Sequence, residues 1–208
     1  FYVMDSKKNI DGWLNLIKPS GISSSKALNY LRKYFKGVKK VGHIGTLDPF
    51  ASGVLPVAIG EATKTIEYIS KHKKNYIVEI EWGIETDTLD SDGLVIKYFK
   101  DCAAPSLEAI ESVLSSFIGI LEQIPPKFSA KKVSGKRAYK LARENVEFTL
   151  EAKEVECTRI KVLRHDEEER ITTLQIECGR GFYIRSLVRD LAEKLDTIAI
   201  AKSLHRKS

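Results

Sequence analysis

Residues 41–64 read VGHIGTLDPFASGVLPVAIGEATK. Between Val41 and Gly60 the one acidic residue is Asp48, set among glycine, proline and small or apolar side chains. Gly42, Gly45 and Gly53 allow backbone conformations that other residues resist. Pro49 fixes its own φ and pushes Asp48 out of the helical region. The pattern predicts a sharply shaped loop that presents one carboxylate, followed by a short apolar strand over residues 54–59. A carboxylate on a stiff loop beside apolar residues can be a catalytic group. It can equally be a turn-initiating aspartate that bonds its own backbone, and Asp-Pro taken alone fits the turn better.

Working outward, the chain has 208 residues, enough for one large domain or two small lobes. With 43% hydrophobic and 30% charged residues it has the balance of a soluble globular protein. Its apolar runs are too short to span a bilayer, and no signal-peptide pattern opens it. Phe1 is not a start methionine, whereas Met4, the sole methionine, is a candidate start. Cys102, Cys157 and Cys178 show no CxxC spacing, which fits reduced thiols and predicts a cytoplasmic location. The net charge is +6, a modest excess that hints at nucleic acid. Basic residues gather at Lys36, Lys39 and Lys40, at residues 71–74, and from Lys127 to Lys140, while acids gather at residues 85–92 and 166–169. That segregation describes either a basic face for phosphates or a set of solvated loops.

The remaining pattern is mixed. Residues 12–17 read as a strand ending at the Pro19-Ser20-Gly21 turn. Ser23 or Ser24 can cap a helix with Ala27, Leu28, Leu31 and Phe35 on one face, ended by Gly37. Residues 61–70 read as a short helix. Tyr76, Val78, Ile80 and Trp82 alternate with polar or outward positions, as one apolar face of a strand does. The turn Asp90-Ser91-Asp92-Gly93 should return the chain as a hairpin strand over residues 94–99. It resembles part of a calcium loop, but Thr88 and Phe99 stand where Asp and Glu are needed, so calcium is rejected. Pro105-Ser106 should start a helix burying Leu107, Ile110, Val113, Leu114 and Phe117. Residues 118–124 read as extended, and Pro125-Pro126 opens an irregular basic segment with a short helix at 136–143. Strands at 155–163 and 171–178 flank an acidic turn. Gly179-Arg180-Gly181 breaks the second, and a final helix carries Ile184, Leu187, Val188, Leu191 and Leu195 on one stripe. The fold class is therefore α+β with a largely antiparallel sheet.

No pair among His43, His72, His165 and His205 has metal-ligand spacing with a cysteine or carboxylate, so no metal is expected. The glycine-rich stretch lacks both the phosphate-loop ending and the GxGxxG fingerprint, and no serine sits in a G-x-S-x-G setting. One carboxylate, aromatics beside basic residues, and arginines at a glycine-broken strand remain. These combine into an RNA site. Tyr76 follows Lys73-Lys74-Asn75, so a stacking ring would stand beside phosphate-binding ammoniums, although core packing at a strand start explains it as well. Arg180, Tyr183 and Arg185 cluster at a strand-to-helix junction, where backbone N–H groups favour anions. An arginine beside Asp48 would hold it as a carboxylate. Alternatively, Arg185 is a surface charge opposite the leucine stripe.

The ordered motifs resemble the TruB family of tRNA pseudouridine synthases. They are KPSGISS (18–24), GHIGTLDPFASGVLPVAIGEATK (42–64), KNY (74–76), TDTLDSDG (86–93) and GFYIRSLVRDL (181–191). The similarity runs in order from Leu16 to about Arg206. It implies the pseudouridine synthase fold, a mixed and mainly antiparallel central sheet flanked by helices and loops. It also implies conversion of a uridine in the TΨC arm of tRNA to pseudouridine-55, without cofactor or metal. By the same resemblance, Asp48 matches the catalytic aspartate and His43 a histidine near the flipped nucleotide. Tyr76 matches the aromatic that stacks on the target base. Tyr183 and Arg185 match a motif whose tyrosine lines the base pocket and whose arginine pairs with the catalytic aspartate. Leu204 matches a late segment lining the same pocket. Lys18 and Pro19 match a first motif read as a loop-positioning element, and Asp90 matches the TDTxD segment without a chemical role.

The chemistry suits that set. The C1′–N1 bond breaks and the uracil is rejoined through C5, with no redox change. Asp48 could attack C1′, attack the base, or remove the C2′ proton. Tyr183 could act as a base for the C5 proton or as a plain pocket wall. The uridine must leave its stack to be reached, which calls for a stacking ring and an apolar pocket. Typical bacterial members continue into a PUA domain. Here the chain stops at Ser208, and the usual arginine-threonine pair stands as Arg206-Lys207-Ser208, a partial match. The expected organisation is one catalytic domain over residues 1–208, with a basic RNA-clasping insert at about 125–145 and no PUA domain. The expected partner is tRNA through its TΨC stem-loop, with no membrane, no obligate protein partner and a monomeric chain. Two other readings stay open: a non-catalytic RNA-binding module on the same fold, and a guide-directed relative acting on another RNA.

Overall fold

A computed structural model describes residues 10–35, 38, 40–69, 72–99, 103–133 and 135–208. Expectations resting on Phe1, Met4, Lys36, Gly37, Lys39, Ser70, Lys71 and Cys102 lie outside the described residues.

The chain opens with β1 (Gly12–Lys18) and α1 (Ser24–Tyr34), followed by β2 (Val41–His43) and β3 (Ser52–Ile59). The Ser23 hydroxyl caps α1 by accepting from the Lys26 N–H, and Ala27, Leu28 and Leu31 are buried, as the spacing predicts. A short 3-10 turn (Gly60–Thr65) and α2 (Ile66–Ile69) occupy the region read as one helix. Then come β4 (Lys74–Trp82), β5 (Ile84–Thr86), β6 (Val95–Tyr98) and α3 (Leu107–Leu114). After β7 (Gly119–Gln123), the basic segment forms a small hairpin, β8 (Lys132–Val133) and β9 (Lys136–Arg137), ahead of α4 (Ala138–Arg143). The long strands β10 (Lys153–Asp166) and β11 (Ile171–Cys178) lead to α5 (Ile184–Lys194) and to β12 (Ala199–Arg206).

The main sheet runs β1-β3-β12-β4-β11-β10-β7, with β2 added on β3. Its ladders are antiparallel except β3 with β12, which pair in parallel at His205↔Ser52 and Arg206↔Gly53. The sheet is therefore mixed and mainly antiparallel, as the sequence predicts. β4 is central because its alternating face is fully apolar: Tyr76, Val78, Ile80 and Trp82 are all buried. The leucine stripe of α5 packs on the same core.

Three expectations differ from the structure. Leu204 was read only as part of a pocket-lining segment and no strand was expected there, yet β12 lies between β3 and β4 in mid-sheet. Its sequence AIAKSLHR mixes polar residues into the alternation, and its register shifts between Ala201 and Ser203. The strand after the Asp90-Ser91-Asp92-Gly93 turn, β6, pairs with β5, not with β4, whose two edges are taken by β11 and β12. Gly83, at φ 82°, makes the break that separates β4 from β5. His43 ends a strand paired to β3, whereas residues 41–53 were read as loop. Among the described residues, no helix is long and apolar enough to cross a membrane.

Candidate active site

Asp48 lies in the connection between β2 and β3, in a turn closed by the Ala51 N–H to the Asp48 carbonyl at 3.1 Å. The KPSGISS segment holds this connection from below. In β1, Leu14 and Leu16 face the core, and the same alternation turns Lys18 inward, where it is fully buried. Its Nζ donates to the carbonyls of Pro19 (2.8 Å), Ile22 (2.7 Å) and Pro49 (3.3 Å). Burial lowers the Lys18 pKa, while the Asp48 and Asp92 charges oppose that shift. The Ser20 hydroxyl donates to the Phe50 carbonyl, and the Gly21 N–H to that of Pro49, each at 2.8 Å. Ser24 Oγ donates to the Leu47 carbonyl at 2.8 Å and accepts from the Leu47 N–H at 2.9 Å. The backbone on both sides of Asp48 is thus tied down, and its side chain, about one-third exposed, is left for chemistry.

Arg206 clamps the same connection from above. It is 1% exposed and donates from Nε to the Val54 carbonyl at 2.7 Å and from Nη2 to the Gly45 carbonyl at 2.9 Å. Its Nη1 lies 3.4 Å from the Tyr76 hydroxyl. Two motif glycines make room for it. A Cβ on Gly53 would stand 2.1 Å from the Arg206 carbonyl oxygen, and one on Gly45 2.9 Å from Arg206 Nη1.

Arg185 comes from the first turn of α5 and is 3% exposed, so the surface reading of this residue fails. Its Nη2 pairs with Asp48 Oδ2 at 2.9 Å and its Nη1 with Asp90 Oδ2 at 3.2 Å. Nη1 also donates to the Thr88 carbonyl at 2.7 Å, and Nη2 to that of Phe128 at 2.9 Å. One guanidinium therefore joins the Asp48 loop, the TDTLDSDG turn and the basic segment. Asp90 is oriented in turn by the Thr88 hydroxyl at 2.6 Å and the Asp92 N–H at 3.0 Å, both onto Oδ1. Burial raises the Asp90 pKa, and the Asp48 charge adds to it, while Thr88 and Arg185 pull it down.

A cavity of about 560 Å³ opens beside Asp48, lined also by His43, Tyr76, Tyr183 and Leu204. That volume suits a nucleotide-sized ligand. Arg185 lies on a second cavity of about 820 Å³, which Asp48 and His43 also line, so all six sequence-predicted residues meet here. Tyr76 is at once core and wall: it is 8% exposed and packed in the main cluster. Burial raises the pKa of both Tyr76 and Tyr183, so both remain neutral phenols near pH 7. Burial, then the Arg206 charge, lowers that of His43, which keeps the ring neutral.

Sequence reasoning missed three supports. Gln123, 2% exposed, accepts from the Tyr183 N–H at 2.8 Å and donates to the Tyr183 carbonyl at 3.1 Å, so it fixes the pocket tyrosine. Its signal was the inward position it shares with Leu121 on an alternating strand. Ser24 and Arg206 gave no such signal, because their partners are backbone groups far along the chain. Among the described residues, no group of three or more His, Cys, Asp or Glu stands together as metal ligands.

A family model described as TruB family pseudouridylate synthase (N terminal domain) matches residues 32–184. A protein of Ehrlichia chaffeensis named tRNA pseudouridine synthase B is 44% identical over 195 residues, covering 94% of this chain and 65% of that protein. A protein of Caulobacter vibrioides with the same name is 44% identical over 197 residues, covering 95% and 62%. The chain thus spans less than two thirds of the length of these curated relatives. Among solved structures, a Cbf5-Nop10-Gar1 complex aligns with a TM-score of 0.70 at 25% identity, over 95% of this chain and 48% of that one. An H/ACA RNP bound to a substrate RNA containing 2′-deoxyuridine aligns at 0.67 with 24% identity, over 95% and 47%, a likeness of fold.

Proposed function

This chain belongs to the TruB family of pseudouridylate synthases, and from that premise we propose that it converts uridine-55 in the TΨC arm of tRNA to pseudouridine. The observation that carries the reading is the Asp48 carboxylate, ion-paired with a buried arginine at the wall of a nucleotide-sized cavity that also holds Tyr76. The likeness to two relatives named tRNA pseudouridine synthase B supports tRNA as the substrate.

In this mechanism the target uridine leaves the RNA stack and enters the cavity. Tyr76 and Leu204 supply apolar surface for the base, which offsets the cost of unstacking. Arg185 holds Oδ2 of Asp48, so Oδ1 is the oxygen that turns toward the nucleotide. The carboxylate acts at C1′, at the base or at the C2′ proton. The C1′–N1 bond then breaks, the uracil rotates, C1′ joins C5, the C5 proton passes to solvent and N1 takes up a proton, so that the product is an isomer of the uridine. Tyr183, a buried neutral phenol, acts as a wall and hydrogen-bond donor rather than as a phenolate base. The reaction needs no redox partner.

Residues 1–208 act as the catalytic domain, and the basic segment at about 125–145 closes on the RNA. Its Arg137 and Arg143 line the second cavity, which supports that role. The enzyme works alone, as a monomer in the cytoplasm where its substrate resides.

The test is tritium release from C5-labelled tRNA. Asp48→Asn should abolish release while leaving tRNA affinity within a few-fold, since the amide keeps the shape but not the charge. Full activity in that variant would refute the assignment. Unchanged pseudouridine in the TΨC loop of a deletion strain would refute the choice of tRNA.

A further inference from the structure

The wall of the Asp48 cavity is apolar beside Tyr76 and cationic farther out. Lys74 opens β4, two residues before Tyr76, so both side chains leave the same face of the strand. Two strand residues span roughly 6.6 Å, about the reach of one nucleotide from base to phosphate. Lys74 pairs in register with Cys178 of β11, and Arg180 follows two residues later, on the strand break. Both line the cavity, and Lys131 of the basic segment lines it as well. The lysine stem is shaped to the loop: a Cβ on Gly45 would stand 3.1 Å from Lys74 Cε. Its ammonium donates to the His72 carbonyl at 3.0 Å. Burial lowers the Lys74 pKa first, and the Arg206 and Arg180 charges add to it, while Cys178 opposes them. The acids on this wall are Glu67 and Asp48, and Asp48 is held by Arg185. Lys74 and Lys131 are partly buried and Arg180 is exposed at the rim, so an anion entering from the open side would approach all three cations.

We propose that Lys74 and Arg180 form a subsite for one phosphodiester adjoining the flipped-out nucleotide, so that a single strand, β4, measures the nucleotide from base to phosphate. This subsite rests on the reading of the protein as an RNA-modifying enzyme. Its ligand is an RNA backbone phosphate, and its effect is to fix where along the strand the uridine enters.

The experiment measures the affinity of a TΨC stem-loop RNA by fluorescence anisotropy across a salt series, in the full chain carrying Asp48→Asn so that the RNA is not consumed. Adding Lys74→Gln should weaken binding about tenfold. It should also lower the slope of log affinity against log salt by about 0.7, one phosphate contact. Arg180→Gln should act in the same direction. The RNA is then varied, with a neutral methylphosphonate at the linkage on either side of the target uridine. One of the two should weaken the parent as much as Lys74→Gln does and cost nothing further in that variant. An unchanged slope in both variants, or a methylphosphonate penalty that persists undiminished in Lys74→Gln, overturns the subsite. Failure of the parent chain to bind the stem-loop overturns the RNA reading itself. Thermal unfolding of each variant separates these outcomes from misfolding.

Discussion

Arg185 organises the site because two carboxylates and two carbonyls converge on its two buried Nη groups, while its Nε is buried without a hydrogen-bond partner among the described residues. Asp90 thereby acquires a part that its motif did not reveal: it holds the far side of the arginine that holds Asp48. His43 offers a test at the same scale. Its folded pKa lies below the ordinary 6.5, through burial and the Arg206 charge. A lowered pKa means that the fold favours the neutral ring. Its contribution is complete above 6.5 and is lost as pH falls through the folded value. His43→Gln should therefore lose less thermal stability than the parent as pH falls below 6.5. Parallel curves of melting temperature against pH would mean that His43 protonation does not oppose folding. Asp48, His43 and Arg185 were legible as residues, but the burial of Arg185 was not. The sequence pattern sets it off the leucine stripe, and only partners outside the helix explain its burial.

At the scale of elements, the decisive contact is β3 against β12. Gly53 sits at φ 111°, and Arg206 backbone atoms lie where a Cβ would be. Gly53→Ala must strain the backbone and separate two strands, at a cost of at least about 2 kcal/mol. Urea unfolding should report that loss, and a loss below about 0.5 kcal/mol would mean that the two strands can part freely. The same contact explains why the glycines around Asp48 are spaced as they are. Gly45 and Gly53 admit Arg206 of β12, which clamps the loop. The helices α1, α3 and α5 were readable because a 3.6-residue apolar stripe, joined in α1 and α3 by a serine cap, is a local signal. β12 was not, since Lys202, Ser203 and His205 blur its period and its register slips at Ala201/Ser203. The hairpin partner of β6 was misread for a related reason. Nothing local says that both edges of β4 are already taken by strands about a hundred or more residues away.

Across the whole molecule, the +6 charge is modest, but its placement is not uniform. Lys74, Arg180 and Lys131 line one cavity, while Arg137 and Arg143 line the other, and Asp48 joins the two. Binding of tRNA should therefore depend steeply on salt. With three or more phosphates engaged, affinity should fall at least about tenfold between 50 and 200 mM salt. A flat response in a filter-binding series would remove the cationic face from the account. By itself the sequence determined the helices, the central apolar strand, the α+β class and the loop that carries Asp48, because each is written in short-range periodicity, turn chemistry and ordered motifs. Only the tertiary structure decided that β12 enters the middle of the sheet. It alone decided that Lys18 and Arg206 bury their charges against the loop's carbonyls, and that Arg185 is shared between Asp48 and Asp90. The physical reason is that a buried charge takes its partners from whatever backbone the fold brings near, and that proximity has no signature in the neighbouring residues.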